Sequence, residues 1–206
     1  DRDFRNIEHS ARELLAALTS PAPSLDSSVR AGDAGACEIV CNALGLTFEA
    51  EEWMCVAQLL DIVRLLCDYA DKNDSSSEVE VNLLRFRACR AHEDVFNILI
   101  TTRMINVGSL ACIVLGHLSN TDKTSILLRE MGACRTILQT LQTNYALQDI
   151  AHSVIENVLS AIRKLVKNPE NRALLGDLGA CVTTVEVLQR YTDVMGIAAR
   201  ACWVIG

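Results

Sequence analysis

The sequence is poor in turn-forming residues and in aromatic side chains. Its 206 residues include 10 Gly and 3 Pro, and Phe, Trp and Tyr together make up 4%. So few Gly and Pro argue against a turn-rich β-sandwich. Half of the residues are apolar, which excludes a disordered or collagen-like chain. The composition therefore predicts one domain or one continuous array built around apolar segments.

Long hydrophobic runs and an excess of positive charge are also missing. No apolar run approaches the roughly 20 residues that cross a bilayer, so we expect no membrane insertion. The chain carries 19 basic and 26 acidic residues, a net charge of −7. This balance disfavours nucleic acid and anionic membranes as ligands, because both attract positive charge.

The two ends carry no terminal signals. The sequence starts at Asp1 without Met and without the apolar core of a signal peptide. Its last residues, Ala201–Gly206, contain no stop signal. From this we expect the sequence to be part of a longer chain.

Motifs of common enzymes are absent. The sequence has no Gly-rich phosphate loop and no GxSxG, HExxH or DxDxDG motif. Cys89 and His92, at i and i+3, could form a nucleophile–base contact on a helix. A buried Cys beside a surface His is the commoner outcome, so we expect no enzyme, no catalytic residue and no cofactor.

Nine cysteines occur, an odd number, within apolar periodic stretches. This usage predicts a reducing compartment and not a disulfide framework. We expect a cytoplasmic protein, with a nuclear, cytoskeletal or ciliary location as the alternatives. Cys37 and Cys41 could share a helix face and a metal ion, but no CxxC or CxxxH pair accompanies them. We therefore expect no metal and interpret them as small buried side chains.

A short pattern recurs along the chain. Leu174–Cys181 (LLGDLGAC) closely matches Leu127–Cys134 (LLREMGAC), and Val29–Cys37 is a further copy. Leu83–Cys89 is interpreted as a copy that is one residue shorter and has Arg87 in place of the glycine. The four pattern cysteines then lie 52, 45 and 47 residues apart, and periods of about 40–47 are typical of helical repeats.

Each repeat predicts three helices. After the pattern, apolar residues recur at i, i+4 and i+7, which indicates a short amphipathic helix: Cys37, Cys41, Leu44; Cys134, Leu138, Leu141; Cys181, Val185, Leu188. In the second copy Glu93 breaks this spacing, so its register is expected to be shifted. A longer helix follows, and a left-handed corner is predicted at each pattern glycine: Gly35, Gly132 and Gly179.

These residues resemble armadillo repeats. The resemblance rests on LLREMGAC…ILQTLQ, NRALLGDLGAC…VEVLQRY and GIAARACWVIG, and it covers about residues 27–206. It implies an all-α fold, a right-handed α-solenoid of three-helix repeats. The expected boundaries are a partial repeat at 1–20, repeats at about 27–80, 81–120 and 121–168, and a partial repeat at 169–206.

The resemblance also implies a binding groove lined by the third helices. In peptide-binding members an Asn on each third helix bonds an extended peptide, and a Trp precedes it by four residues. Here the Asn positions hold Leu65, His117 and Lys164, and the Trp positions hold Asp61, Ile113 and Ser160. Trp203 alone matches, so we expect no ladder of bonds to an extended peptide.

The predicted groove comprises nine residues on three helices: Gln58, Asp61, Leu65, Leu110, Ile113, His117, Asn157, Ser160 and Lys164. The alternative is that some belong to the core, if the register is one residue off. The resulting hypothesis is a protein–protein interaction module, a scaffold or adaptor that binds a helix or a folded surface. The alternative function is a structural spacer within a cytoskeletal or ciliary assembly.

An acidic insertion covers residues 68–80. It is interpreted as a solvated loop, with an acidic docking site and a phosphorylated segment as alternatives. Arg85, Arg87 and Arg90 follow it, and they are expected to pair with this loop or with a neighbouring carboxylate.

Overall fold

The computed structural model describes residues 2–20, 25–68, 77–147 and 150–205. Over these ranges the chain forms thirteen α-helices, α1–α13, and no strand. The predicted all-α fold is therefore confirmed for the described residues. The chain divides into two compact units, Asp1–Ile98 and Leu99–Gly206, and the division falls within α6.

Unit 1 consists of five helices and most of a sixth. In chain order they are α1 (Arg2–Thr19), α2 (Leu25–Asp33), α3 (Ala36–Glu49), α4 (Trp53–Cys67), α5 (Ser77–Ala88) and α6 (Ala91–Thr101). Helices α1, α2, α3 and α5 all pack against α4. The α4 sequence is apolar on most of its faces, as expected of a helix surrounded by neighbours, and Leu60, Ile62 and Leu66 are fully buried.

Unit 2 consists of the end of α6 and seven further helices. They are α7 (Ile105–Leu118), α8 (Asp122–Glu130), α9 (Ala133–Tyr145), α10 (His152–Leu165), α11 (Pro169–Asp177), α12 (Ala180–Arg190) and α13 (Met195–Ile205). Helix α10 packs against α7, α9 and α13. Its inward residues Ile155 and Leu159 have no exposed surface.

Local sequence explains where the short helices begin. The side chain of Thr121 caps α8 by accepting a hydrogen bond from the backbone N–H of Thr124. Asn168 caps α11 in the same way, and Pro169 occupies the first turn, where its missing N–H is not needed. These are the polar breaks that separate the apolar stretches of the sequence.

Buried asparagines connect the short helices to their predecessors. In unit 1, Asn82 of α5 donates to the carbonyls of Ser28 at 3.0 Å and Leu66 at 3.2 Å. In unit 2, Asn171 of α11 donates to Ser125 Oγ at 2.8 Å. Because these amides are buried and hydrogen-bonded, they fix the position of each short helix relative to the short helix before it.

The predicted glycine corners occur as expected. Gly35, Gly132 and Gly179 have φ angles of 86°, 88° and 87°, and each immediately precedes a second helix, α3, α9 or α12. This left-handed conformation is open to Gly because it lacks a Cβ atom. The corner lets the short helix and the second helix meet without a longer loop.

The predicted register of the second copy of the pattern is wrong. Helix α5 continues through Arg87 to Ala88, and the left-handed residue is Arg90, with a φ of 59°. The residue that follows this corner at the position of Cys37 and Cys134 is therefore His92, not Cys89. The shift expected from Glu93 is present, because α6 buries Val95, Phe96 and Leu99.

The predicted apolar face of α12, with Cys181, Val185 and Leu188, is also wrong. Cys181 and Val185 are exposed, and the buried face consists of Ala180, Thr183, Thr184 and Val187. The reason is that α12 lies against α9, α11 and α13, and Thr183 on that face accepts a hydrogen bond from Gln142 of α9 at 3.0 Å. Cys37 and Cys134 are buried as predicted.

The predicted boundaries at 120/121 and 168/169 fall between helices, whereas the boundary at 80/81 lies inside α5 and the predicted start at residue 27 lies inside α2. The predicted partial repeat at 169–206 holds three helices, as the preceding intervals do. Most of the acidic insertion, residues 69–76, lies outside the described residues. Arg85 pairs with Asp33 at 2.9 Å, and Arg90 pairs with Glu93 at 2.6 Å, so both have neighbouring carboxylates as partners.

Candidate partner-binding surface

The predicted groove residues lie on α4 in unit 1 and on α7 and α10 in unit 2. These three helices and α13 of unit 2 each come third in a run of three helices. We call them the third helices. In unit 2, α10 packs against both α7 and α13. Side chains three and four residues apart on these helices share a face, so equivalent positions form rows across unit 2.

The structure separates the nine predicted residues into two groups. Six are half-buried: Gln58, Asp61, Leu110, Ile113, Asn157 and Ser160. The other three are buried, with Leu65 5% exposed, His117 2% and Lys164 8%. These three occupy the positions of the peptide-bonding Asn in the resemblance, and they offer little surface to a partner.

The burial of Lys164 has a geometric cause. A Cβ atom added to Gly116 would lie 2.8 Å from the Ala161 Cα, so α7 and α10 approach closely at this point. The Lys164 Cδ would lie 3.3 Å from the same atom. The aliphatic stem of Lys164 is therefore packed along α7 at the close approach, as long cationic side chains often are.

In unit 1 the predicted residues lie on one face of α4. Asp61 pairs with Arg64, one turn later, with 2.8 Å between the Asp61 Oδ1 and the Arg64 Nε. The Gln58 Oε1 is buried and has no hydrogen-bond partner among the described residues. This face therefore offers one charge pair to a ligand, because the Gln58 Oε1 has no accessible surface.

In unit 2 a polar network joins α10 to α13. The Arg200 Nε donates to Ser160 Oγ at 2.9 Å, and the Arg200 Nη1 lies 3.1 Å from the Glu156 Oε2. Asn157 lies beside it and donates to Ser109 Oγ of α7 at 3.5 Å. The network fixes these side chains before any ligand arrives, which lowers the entropic cost of binding through them.

An exposed tryptophan adjoins this network. Trp203 of α13 is 69% exposed, and the Arg163 guanidinium of α10 lies 5.8 Å from the centre of its ring. An arginine at this distance makes a favourable cation–π contact. Tryptophan and arginine are also the residues that contribute most energy at protein interfaces.

The sequence contained a signal for part of this arrangement. Trp203 occupies the position of Ser160, Ile113 and Asp61 on the next third helix, and Arg200 that of Asn157. Extending the two rows by one helix would have added both residues to the predicted groove. Glu156 and Arg163 lie on the same face of α10, at positions that the Asn and Trp motif does not include.

Six of the nine cysteines are buried thiols, whereas Cys89 is half-buried and Cys181 and Cys202 are exposed. All nine are reduced, and burial raises the pKa of Cys37 to about 12 and that of Cys134 to about 11. Burial also raises the pKa of Cys41, which hydrogen-bonds Cys89. A raised pKa leaves little reactive thiolate near neutral pH.

Cys89 and His92 do not form a nucleophile–base pair. Cys89 contacts Cys41 instead, and the Nε2 of His92 lies 3.7 Å from the Glu93 carboxylate. Burial lowers the pKa of His92. Within the described ranges, no group of three or more His, Cys, Asp and Glu side chains could hold a metal ion. None of the described helices is both long and apolar enough to cross a membrane.

Comparison with known proteins gives a similarity of fold. No protein-family model matches the sequence, and no curated protein matches it. The structure is similar to the crystal structure of an engineered protein from the Northeast Structural Genomics Consortium, with a TM-score of 0.58 and 13% identity. The match covers 96% of this chain and 88% of that one. At this identity the likeness concerns the fold alone.

Proposed function

We propose that the chain is an armadillo-type α-solenoid segment that acts as a protein-interaction module. Its recurring order of short helix, left-handed corner, second helix and longer third helix supports this proposal, as do the sequence patterns quoted above. Helical repeats of this kind commonly present extended binding surfaces. The nine reduced cysteines are typical of a reducing compartment and support a cytoplasmic location.

The observation that carries the proposal is the face formed by α10 and α13 in unit 2. Trp203 supplies a large exposed ring, and Arg163 stacks against it. Arg200, Ser160 and Glu156 provide fixed polar groups beside it. An aromatic anchor surrounded by pre-organised polar groups is the usual composition of an interface hot spot.

Recognition through side chains suits this face better than recognition of a peptide backbone. An Asn amide both donates and accepts hydrogen bonds, whereas Leu65 does neither and Lys164 only donates. Both residues are also buried, as is His117. The proposed partner is therefore a helix or a folded surface that places its own side chains against Trp203 and Arg200.

An affinity capture from cell lysate with matched variants tests the proposal. Trp203→Ala removes the anchor without opening a cavity, since most of the ring is exposed. Val182→Ala is the control, because Val182 is a similarly exposed apolar residue on α12. We expect the captured partner to be lost or reduced about tenfold with Trp203→Ala and retained with Val182→Ala, since an anchor contributes over about 1.4 kcal/mol.

One observation favours the alternative, a structural spacer. Ser160 and Asn157, two of the predicted groove residues, are already hydrogen-bonded within the protein. A spacer would use these bonds only to hold its helices together. Capture of the same proteins in equal amounts by the wild type and by Trp203→Ala would favour the spacer and reject the proposed binding face.

A further inference from the structure

Two cysteines of unit 1 are in contact although they are distant in the sequence. Cys41 lies on α3 and Cys89 directly follows α5, and these two helices pack against each other. The side chains of the two cysteines hydrogen-bond each other. Cys41 is 6% exposed, whereas Cys89 is half-buried. The pair therefore combines one thiol that solvent reaches with one thiol that the fold holds beside it.

Both thiols border the same cleft. It has a volume of about 500 Å³ and lies within unit 1. Its lining also includes the carboxyl groups of Glu49 and Asp94, and the described residues that line it include no Lys or Arg. A small neutral reagent can therefore approach the Cys89 sulfur, whereas the two carboxyl groups disfavour an anionic one such as glutathione disulfide.

A third thiol is near the pair. Cys37 lies one turn before Cys41 on α3 and interacts electrostatically with Cys89, but it has no exposed surface. The hydrogen bond of Cys89 goes to Cys41. Cys41 is therefore the assigned partner of Cys89, and Cys37 is the alternative that an experiment has to exclude.

We propose that hydrogen peroxide converts Cys41 and Cys89 into a reversible disulfide bond, with Cys89 reacting first. The Cys89 sulfur attacks one peroxide oxygen, so an S–O bond forms, the O–O bond breaks, and the thiol proton leaves with the other oxygen as water. The Cys41 sulfur then attacks the Cys89 sulfur. An S–S bond forms, the S–O bond breaks, and the departing hydroxide takes the Cys41 proton as a second water. Two thiols are oxidised by two electrons, and peroxide is reduced.

The surroundings of the two thiols set the order of these steps. Burial raises the pKa of Cys41, so little of it is thiolate and it is not the site of the first attack. In the second step its contact with Cys89 compensates, because a reaction between groups held together needs no encounter in solution. The same contact protects the oxidised Cys89 from further oxidation, since the disulfide forms first.

A bond of this kind agrees with the reducing compartment proposed above. There, disulfides form transiently and are reduced again by cellular thiols. While oxidised, the bond joins α3 to the segment that carries the left-handed Arg90. Both cysteines belong to unit 1 and Trp203 belongs to unit 2, so the proposal is independent of the proposed function.

Mass spectrometry of the whole chain tests the proposal. Cys181 and Cys202 are first replaced with Ser, because these exposed thiols also react with peroxide. After a small molar excess of hydrogen peroxide, the intact mass should fall by two hydrogen atoms, and dithiothreitol should restore it. Digestion without reductant should give two peptides joined through Cys41 and Cys89. A protein that only gains oxygen, with no joined peptides, would overturn the proposal.

Two matched substitutions on α3 identify the partner of Cys89. Cys41→Ala should abolish the bond and leave Cys89 as a sulfenic acid, which dimedone traps. Cys37→Ala is the control, since it removes a buried thiol one turn earlier on the same helix, and it should retain the bond. Circular dichroism checks that both variants are helical. A bond retained in Cys41→Ala, or lost in a helical Cys37→Ala, would contradict the assignment.

Cys89→Ala tests which thiol reacts first. Without Cys89 the remaining thiols of this segment are buried, so peroxide should leave Cys37 and Cys41 unmodified over the time in which the unsubstituted pair forms its bond. Oxidation of Cys41 at an undiminished rate in Cys89→Ala would show that Cys89 is not the first thiol to react.

Discussion

The corner before α6 differs from the three other corners that precede second helices. Gly35, Gly132 and Gly179 adopt φ angles of 86–88°, whereas Arg90 adopts a φ of 59° in the same place. A left-handed conformation costs a residue with a Cβ atom about 1–2 kcal/mol. The corner before α6 therefore forms without glycine, so contacts made in the folded chain must offset the strain.

Interactions around Arg90 hold the strained corner in place. The Glu93 backbone N–H donates to the Arg90 carbonyl at 2.8 Å, and the Glu93 carboxylate pairs with the Arg90 guanidinium at 2.6 Å. On both sides of the corner the chain is packed, since Phe86 and Val95 are fully buried. Glycine thus lowers the energy of a corner whose position the surrounding apolar residues decide.

The strongest way to test the comparison is to give a glycine corner a Cβ atom. Gly132→Ala should lower the free energy of unfolding by about 1–2 kcal/mol, because only the backbone conformation is strained. No atom lies within 4 Å of the added methyl group. Urea unfolding measures the loss.

The control for this change is a glycine in ordinary helical conformation. Gly45 lies inside α3 and also has open space around its Cβ position. Gly45→Ala should raise the stability by about 0.5–1 kcal/mol. Equal losses for Gly132→Ala and Gly45→Ala would contradict the role assigned to the corner.

The residue two positions after each corner provides the next test. Cys134 is fully buried, whereas Cys181 at the same position is exposed. Cys134→Ala should cost about 1 kcal/mol, because it leaves a small cavity, and Cys181→Ala should cost almost nothing. Under native conditions a thiol reagent should modify Cys181 rapidly and Cys134 slowly. Fast modification of Cys134 would show that this placement is wrong.

Replacing the exceptional corner residue should have a smaller effect. Arg90→Gly relieves about 1–2 kcal/mol of backbone strain but loses an exposed ion pair that contributes little and increases the freedom of the unfolded chain. We expect a net stabilisation below about 1 kcal/mol in urea unfolding. A clear destabilisation would mean that the Glu93 contact, and not the packing, holds this corner.

The smallest expected effect is the pH dependence that His92 introduces at this corner. In the folded chain, burial lowers the pKa of His92 below its usual value of 6.5. Between this lowered pKa and pH 6.5, the unfolded chain therefore binds a proton that the folded chain does not. Stability from His92 is therefore complete above pH 6.5 and is lost as the pH falls through the lowered pKa.

The measurement compares wild type with His92→Gln at pH about 7.5 and about 5.5. Asp94, whose pKa is raised by burial, opposes the effect in both proteins, so the difference between them reports His92. The wild type should lose more stability on acidification than His92→Gln. An identical loss in both proteins would rule out this contribution.

Much of the fold could be predicted because its signals are local. The three glycine corners and the apolar spacing of α3 and α9 depend on residues a few positions apart. The second copy of the pattern was misplaced because Cys89 resembled the pattern cysteine, while the true corner at Arg90 lacks glycine. No sequence rule identifies a left-handed arginine, since its strain is offset by contacts that only the folded chain makes.

The candidate surface depends on contacts between helices more than the helices themselves do. Its six half-buried residues follow from counting along the helix faces, but the burial of Lys164 depends on how closely α7 approaches α10 at Gly116. The polar network of Arg200 with Ser160 and Glu156 joins residues about 40 positions apart in the chain. Helical periodicity gives the face on which a residue lies, and it gives no distance to another helix.

The sequence by itself determined that the described residues are helical, where three of the corners lie, and which faces of α3 and α9 are apolar. These properties depend on backbone conformation and on periodicity, and both are encoded within a few residues. Tertiary structure decided that Arg90 forms a corner and that Lys164 is buried. Each of these outcomes depends on the packing of helices that are distant in sequence, where close contact outweighs local preference.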